Sequence, residues 1–136
     1  MRTKNLCLLA LLLVFSLLHS CGSSNDVPPN PAVSGIAATG AAIPNAPVTL
    51  KDSTGFTRNG TTDASGAYSI AAWGMTAPFL ISVNYNGGAN TLYSFTTVPG
   101  TANIDPLTNL AVYQALGNDP ATTFTTGADA ALYQKR

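Results

Sequence analysis

Apolar side chains recur at every second position in several short runs of this chain. Ala46, Val48 and Leu50 alternate with Pro47, Thr49 and Lys51, and Phe79, Ile81, Val83 and Tyr85 alternate with Leu80, Ser82 and Asn84. Tyr68 and Ile70 flank Ser69, and Tyr93 and Phe95 flank Ser94. Period two is the pattern of a half-buried strand, with one face on a core and the other on water. Turn formers separate the runs: Gly40 to Pro44, Asp52-Ser53-Thr54-Gly55, Asp63-Ala64-Ser65-Gly66, Asn86-Gly87-Gly88 and Pro99-Gly100. Strands this closely spaced, with no helical segment between them, predict an all-β domain: an antiparallel sandwich over residues 32–104.

The period changes at Asp105. Asp105 is placed as a helix N-cap, Pro106 opens the first turn, and Leu107, Leu110, Ala111 and Gln114 share a face until Gly117 ends the helix. Asp119-Pro120 repeats the start signal. A short helical tail over residues 105–136 is therefore expected. Its apolar stripe is Leu107, Leu110, Tyr113, Leu116, Phe124, Leu132 and Tyr133. Helices this short are marginal alone, so the tail is expected either to dock weakly on the sandwich or to begin a further domain that is cut short.

The N-terminus has a third pattern. Arg2 and Lys4 precede Leu6–Leu18, an apolar run broken only by Ser16. A basic start and a ~7–15-residue apolar stretch make a secretory signal, whereas a membrane-spanning helix takes about 20 residues. The run closes on Leu18-His19-Ser20-Cys21. These four residues resemble the lipobox of bacterial lipoproteins, although His19 stands where a small residue is commoner. The resemblance implies that residues 1–20 are a signal peptide removed before Cys21, and that Cys21 takes a diacylglyceryl thioether and an N-acyl chain such as palmitate. Gly22 rather than Asp after the Cys resembles an outer-membrane address, so a lipid-anchored protein of the bacterial cell envelope is expected. Residues 21–31, with Gly22, Ser23 and Ser24 before Pro28, Pro29 and Pro31, read as a flexible tether that stiffens towards its end.

Composition narrows the chemistry. Charged residues are 9% of the 136, and six basic side chains balance six acidic ones. That balance excludes the basic footprint of a nucleic-acid binder. Without residues 1–20 the charges are Lys51, Arg58, Lys135 and Arg136 against six Asp, a net of −2. The single His19 and the second cysteine, Cys7, both fall in the signal. The remaining chain has no Ser-His-Asp triad, no Cys–His pair, no internal disulfide and no ordinary zinc site. The candidate acids are Asp26, Asp52, Asp63, Asp105, Asp119 and Asp129. Asp52 and Asp63 fit turns, and Asp105 and Asp119 fit helix caps. No Asp-x-Asp-x-Asp spacing suggests calcium. No catalytic residue, metal or cofactor is expected, and the chain is not expected to be an enzyme.

Val33-Ser34-Gly35, Ile43–Leu50, the Asp52–Gly55 turn, Thr62–Ile70 and Ala77-Pro78-Phe79-Leu80 resemble, in that order, the carboxypeptidase regulatory-like domain. The resemblance implies a seven-stranded prealbumin-like (Ig-like) β-sandwich and a surface module without catalytic residues. The expected function is a non-catalytic, lipid-anchored module that displays or binds a protein or glycan partner. A carbohydrate-binding accessory domain, a fragment of a larger envelope enzyme and a structural spacer are the alternatives. Trp73, in Ala71-Ala72-Trp73-Gly74-Met75, lies off the strand pattern. It is expected to cap the sandwich edge, and it is the candidate for stacking on a ligand, beside Tyr85 or Tyr93.

Overall fold

The structure is a computed structural model and describes residues 30–126. Among them are seven strands: β1 Ala32–Ile36, β2 Pro47–Lys51, β3 Thr57–Thr61, β4 Ala67–Ala71, β5 Phe79–Tyr85, β6 Asn90–Thr96 and β7 Gly100–Thr101. Helices α1, Pro106–Leu116, and α2, Pro120–Thr126, follow. The strands form a three-stranded sheet in the order β4-β1-β7 and a four-stranded sheet in the order β3-β2-β5-β6. All pairs are antiparallel except β1 with β7. That parallel pair departs from the purely antiparallel expectation. It arises because the chain returns to the open edge of β1 after β6, pairing Val33 with Gly100 and Ser34 with Thr101.

Both sheets contribute to one core. Val33, Tyr68 and Ile70 from the first pack with Val48, Leu50, Phe79, Ile81, Val83 and Leu92 from the second. These are the alternating positions of the strand runs, turned inward together as period two requires. Gly35 is needed where β1 meets the segment after β7, because a Cβ there would sit 2.1 Å from the carbonyl oxygen of Ala102.

The strand β3, Thr-Arg-Asn-Gly-Thr, carries no apolar alternation and is not visible in the hydrophobic pattern. It is an edge strand, so little of it needs to be apolar. Gly60 leaves room for Ile70, whose Cγ1 would lie 2.8 Å from an added Cβ.

The second correction concerns β5. Its outward residues Leu80 and Ser82 are as buried as Phe79 and Ile81, so the strand is covered on both faces. The cover is the tail. Val112 is buried against Leu80 and Tyr93, with Leu116 and Phe124 packed around them. Asp105 caps α1 by accepting from the amides of Leu107 and Thr108, Thr108 completes the capping box, and Gly117 ends the helix at φ 66°. The side chain of Asn109 accepts the amide of Tyr93 at 3.0 Å, and Thr108 Oγ1 donates to the Tyr93 carbonyl at 3.2 Å. The helix therefore meets β6 through Thr108, Asn109, Val112 and Leu116, one face at i, i+4, i+8 spacing. The stripe expected from the sequence is split: Leu116 and Phe124 pack on the sheet, whereas Leu107 is 75% exposed, and Leu110 and Tyr113 are also exposed. Two polar contacts, with Val112 and Leu116, set the docking face, and a hydrophobic pattern does not record the polar ones. Leu132 and Tyr133, like the rest of residues 127–136, lie outside the described residues.

Candidate functional site

Two turns of the same construction frame the chemistry. In Asp52-Ser53-Thr54-Gly55-Phe56, Asp52 Oδ1 accepts from the Thr54 amide, the Thr54 hydroxyl and the Phe56 amide at 2.7–2.9 Å. In Asp63-Ala64-Ser65-Gly66-Ala67, Asp63 Oδ1 accepts from the matching three groups at 2.7–2.9 Å. Gly55 and Gly66 close the turns with φ 88° and 79°, where a side chain would be strained. The turn reading of both acids holds in the structure.

They differ in burial and reach. Asp63 is exposed, and the Ser65 hydroxyl with the Ala67 and Ser65 amides holds its carboxyl below the ordinary value. Asp52 is 2% exposed, and its Oδ2 also accepts the amide of Thr76 at 2.9 Å. Burial alone would raise the Asp52 carboxyl, but the hydrogen bonds from Thr54, Thr76 and Phe56 outweigh it and the net shift is downward. Ser53 adds two bonds to the Thr76 carbonyl at 3.0 Å, one from its amide and one from its hydroxyl. Together they tie the β2–β3 turn to the loop that carries Trp73.

Phe56, Arg58 and Trp73 form one surface cluster at this end. The Arg58 guanidinium carbon lies 4.0 Å from the centroid of the Trp73 ring and 5.8 Å from that of Phe56. One guanidinium nitrogen donates to the carbonyl of Ala71 at 3.1 Å. Arg58 pairs with Leu50 across the ladder, so it leaves β3 on the core side and reaches across the seam to β4. Trp73 therefore lies over that seam, yet it remains 57% exposed, and Phe56 52%. Neither Tyr85 nor Tyr93 stands beside it. Tyr85 packs against the core at the far end of β5, and Tyr93 is buried beneath the helices. Sequence reasoning singled out Trp73 but missed Phe56 and Arg58. Their only signal was a cation and an aromatic two residues apart beside a turn glycine.

The chain enters the body at the same end. The amide of Ala72 donates to the carbonyl of Pro31 at 2.7 Å, immediately before Trp73. At the opposite end, the 39–47 loop and the β5–β6 turn enclose an open groove of about 880 Å³. Asn45, Asn84, Tyr85 and Asn86 line it with amides and a ring, and no charged side chain does.

The remaining cation of the described residues is not at the surface. Lys51 is 4% exposed beneath α2, where its ammonium donates to the Phe124 carbonyl and lies 5.4 Å from the centroid of the Phe124 ring. A cation at the last turn of a helix is favourably placed.

Among the described residues, no group of three or more His, Cys, Asp or Glu side chains is placed to hold a metal ion. No helix among them is long and apolar enough to cross a membrane. Cys21, the expected lipidation site, lies outside the described residues, as do Asp26 and Asp129.

No family model matches the chain, and no curated protein does. Among solved structures, the major plantain pollen allergen Pla l 1 is similar over 54% of this chain and 87% of its own, at 16% identity and a TM-score of 0.37. A likeness that distant carries no functional argument.

Proposed function

We propose that the chain is a bacterial envelope lipoprotein, lipidated at Cys21 and held at the outer membrane. Its prealbumin-like β-sandwich is a non-catalytic module that displays or binds a protein or glycan partner. The observation that carries this reading is the placement of Cys21, which closes a basic-then-apolar leader and stands ten residues ahead of Pro31, whose carbonyl accepts the amide of Ala72. Seven strands in two sheets over one core support the sandwich. The engagement of Asp52, Asp63, Asp105 and Asp119 in turns and caps supports a role without acid–base chemistry.

The far-end groove favours a neutral, hydrogen-bonding partner, such as a glycan, over a charged one, because amides and a phenol ring suit hydroxyl groups and sugar faces. Acyl labelling of the full chain in a bacterial host tests the anchor: label should be incorporated, and Cys21→Ser should abolish it. A glycan array and a pull-down with the mature chain test the partner. Saturable binding supports the display reading, two blank screens favour a spacer, and turnover of a substrate overturns it.

A further inference from the structure

We propose that the Phe56–Arg58–Trp73 end of the body rests on the headgroup layer of the membrane that anchors the chain. The inference takes the anchor at Cys21 from the reading above and adds an orientation to it. The bond between Ala72 and Pro31 fixes the point of entry one residue from Trp73. Nine residues, 22–30, separate Cys21 from Pro31, and the ten steps between the two span at most about 35 Å when fully extended. The entry end is therefore the part of the body that the anchor holds nearest the bilayer.

The side chains at that end suit the place. Tryptophan is favoured at membrane–water interfaces, where its ring meets the acyl boundary and its N–H stays wet. Phe56 adds apolar surface, and both rings are more than half exposed although a core lies close by. Arg58, 4.0 Å from the Trp73 centroid and with one nitrogen bonded to the Ala71 carbonyl, has further guanidinium N–H groups to offer to lipid phosphate. Asp52 beside them stays ionised, but it is buried and four donors of the protein engage its two oxygens, so it presents no free carboxylate oxygen at the surface. The far end carries the uncharged groove instead, turned away from the bilayer and open to a partner.

Trp73 is the sole tryptophan of the chain, so its fluorescence reports on this patch alone. The full chain is reconstituted in phosphatidylethanolamine–phosphatidylglycerol vesicles that contain acyl-brominated lipid. Trp73 emission should shift to the blue and be quenched several-fold more than in a Trp73→Phe/Ala89→Trp variant, which moves the reporter to the far-end turn. Equal quenching at the two positions, or none at Trp73, overturns the orientation. Mass analysis of the N-terminal peptide reads the anchor separately. If Cys21 proves unacylated, the anchor reading falls, and a Cys7→Ser chain coupled through Cys21 to a maleimide lipid still decides the surface. Quenching of Trp73 there upholds it, and no quenching overturns it.

Discussion

Oδ2 of Asp52 accepts the amide of Thr76 at 2.9 Å, joining a hairpin turn to a loop 24 residues further on. The same carboxylate closes its own turn through Oδ1, so one buried side chain fixes both supports of the aromatic cluster. Asp52→Ala should destabilise the protein by about 1–3 kcal/mol, the cost of leaving buried donors unsatisfied. Asp63→Ala, in the equivalent exposed turn, should cost less. Urea melts of the two variants check the order.

The acid side of the stability profile follows from the same residue. The Asp52 carboxyl is held below its ordinary value of 3.8, so its contribution is complete above that pH and is lost as pH falls through the lower folded value. The acid transition should therefore begin below about pH 4. In Asp52→Asn this contribution to the slope should vanish, as thermal melts from pH 7 down to pH 2 would show.

Tyr68 contributes to the alkaline side of the stability profile. Its hydroxyl is buried and donates to the Ala102 carbonyl, and burial pushes the phenol well above its ordinary value of 10.0. The neutral form is the folded one, so stability is full below about pH 10 and falls as pH rises beyond it. Tyr68→Phe should lower stability at pH 7 by about 0.5–1.5 kcal/mol, the net worth of the bond, and flatten the alkaline decline. Melts at pH 8 and pH 11 separate the two effects.

The helical tail should respond to Val112 and not to Leu107. Val112→Asp places a charge against Leu80 and Tyr93 and should detach α1 from β6, exposing those residues to hydrogen exchange. Leu107→Gln, at a largely exposed position, should stay within about 0.5 kcal/mol of the parent. If the two variants reverse this order, the docking face has been assigned to the wrong side of the helix.

Gly35→Ala should be among the costliest single methyl additions, because the new carbon meets a backbone oxygen that cannot move aside. Gly60→Ala meets the Ile70 side chain instead, and should cost about 1–3 kcal/mol, of which Ile70→Val should recover little, because valine keeps the Cγ1 that lies 2.8 Å from the new carbon. Denaturant midpoints of the single and double variants check both.

Strands β2, β4, β5 and β6 were legible because period two marks their bodies, and the Asp-x-Ser/Thr-Gly turns mark the end of β2 and the start of β4. Asp105, Pro106 and Gly117 likewise marked α1, since caps act locally. What the sequence hid depends on partners far along the chain. Thr57–Thr61 becomes a strand only by pairing with β2, and α1 shows its docking face only where Asn109 meets the Tyr93 amide. At the candidate site, Trp73 stood out by its type and its break from the strand pattern. Arg58 did not, because its meaning comes from a ring 15 residues away across a seam between two sheets.

The neighbours of β1 have a consequence for the order of assembly. This first strand pairs with β4 on one side and β7 on the other, and the amide of Ile36 reaches Asn103, 67 residues on. As the chain leaves the ribosome, β1 has no partner until Ala67 emerges and keeps an open edge until Gly100 does. Closing a loop of that length before any contact rewards it slows folding. The three-stranded sheet thus stays incomplete until Gly100 is available, and a nascent chain still short of that residue keeps one edge of β1 open.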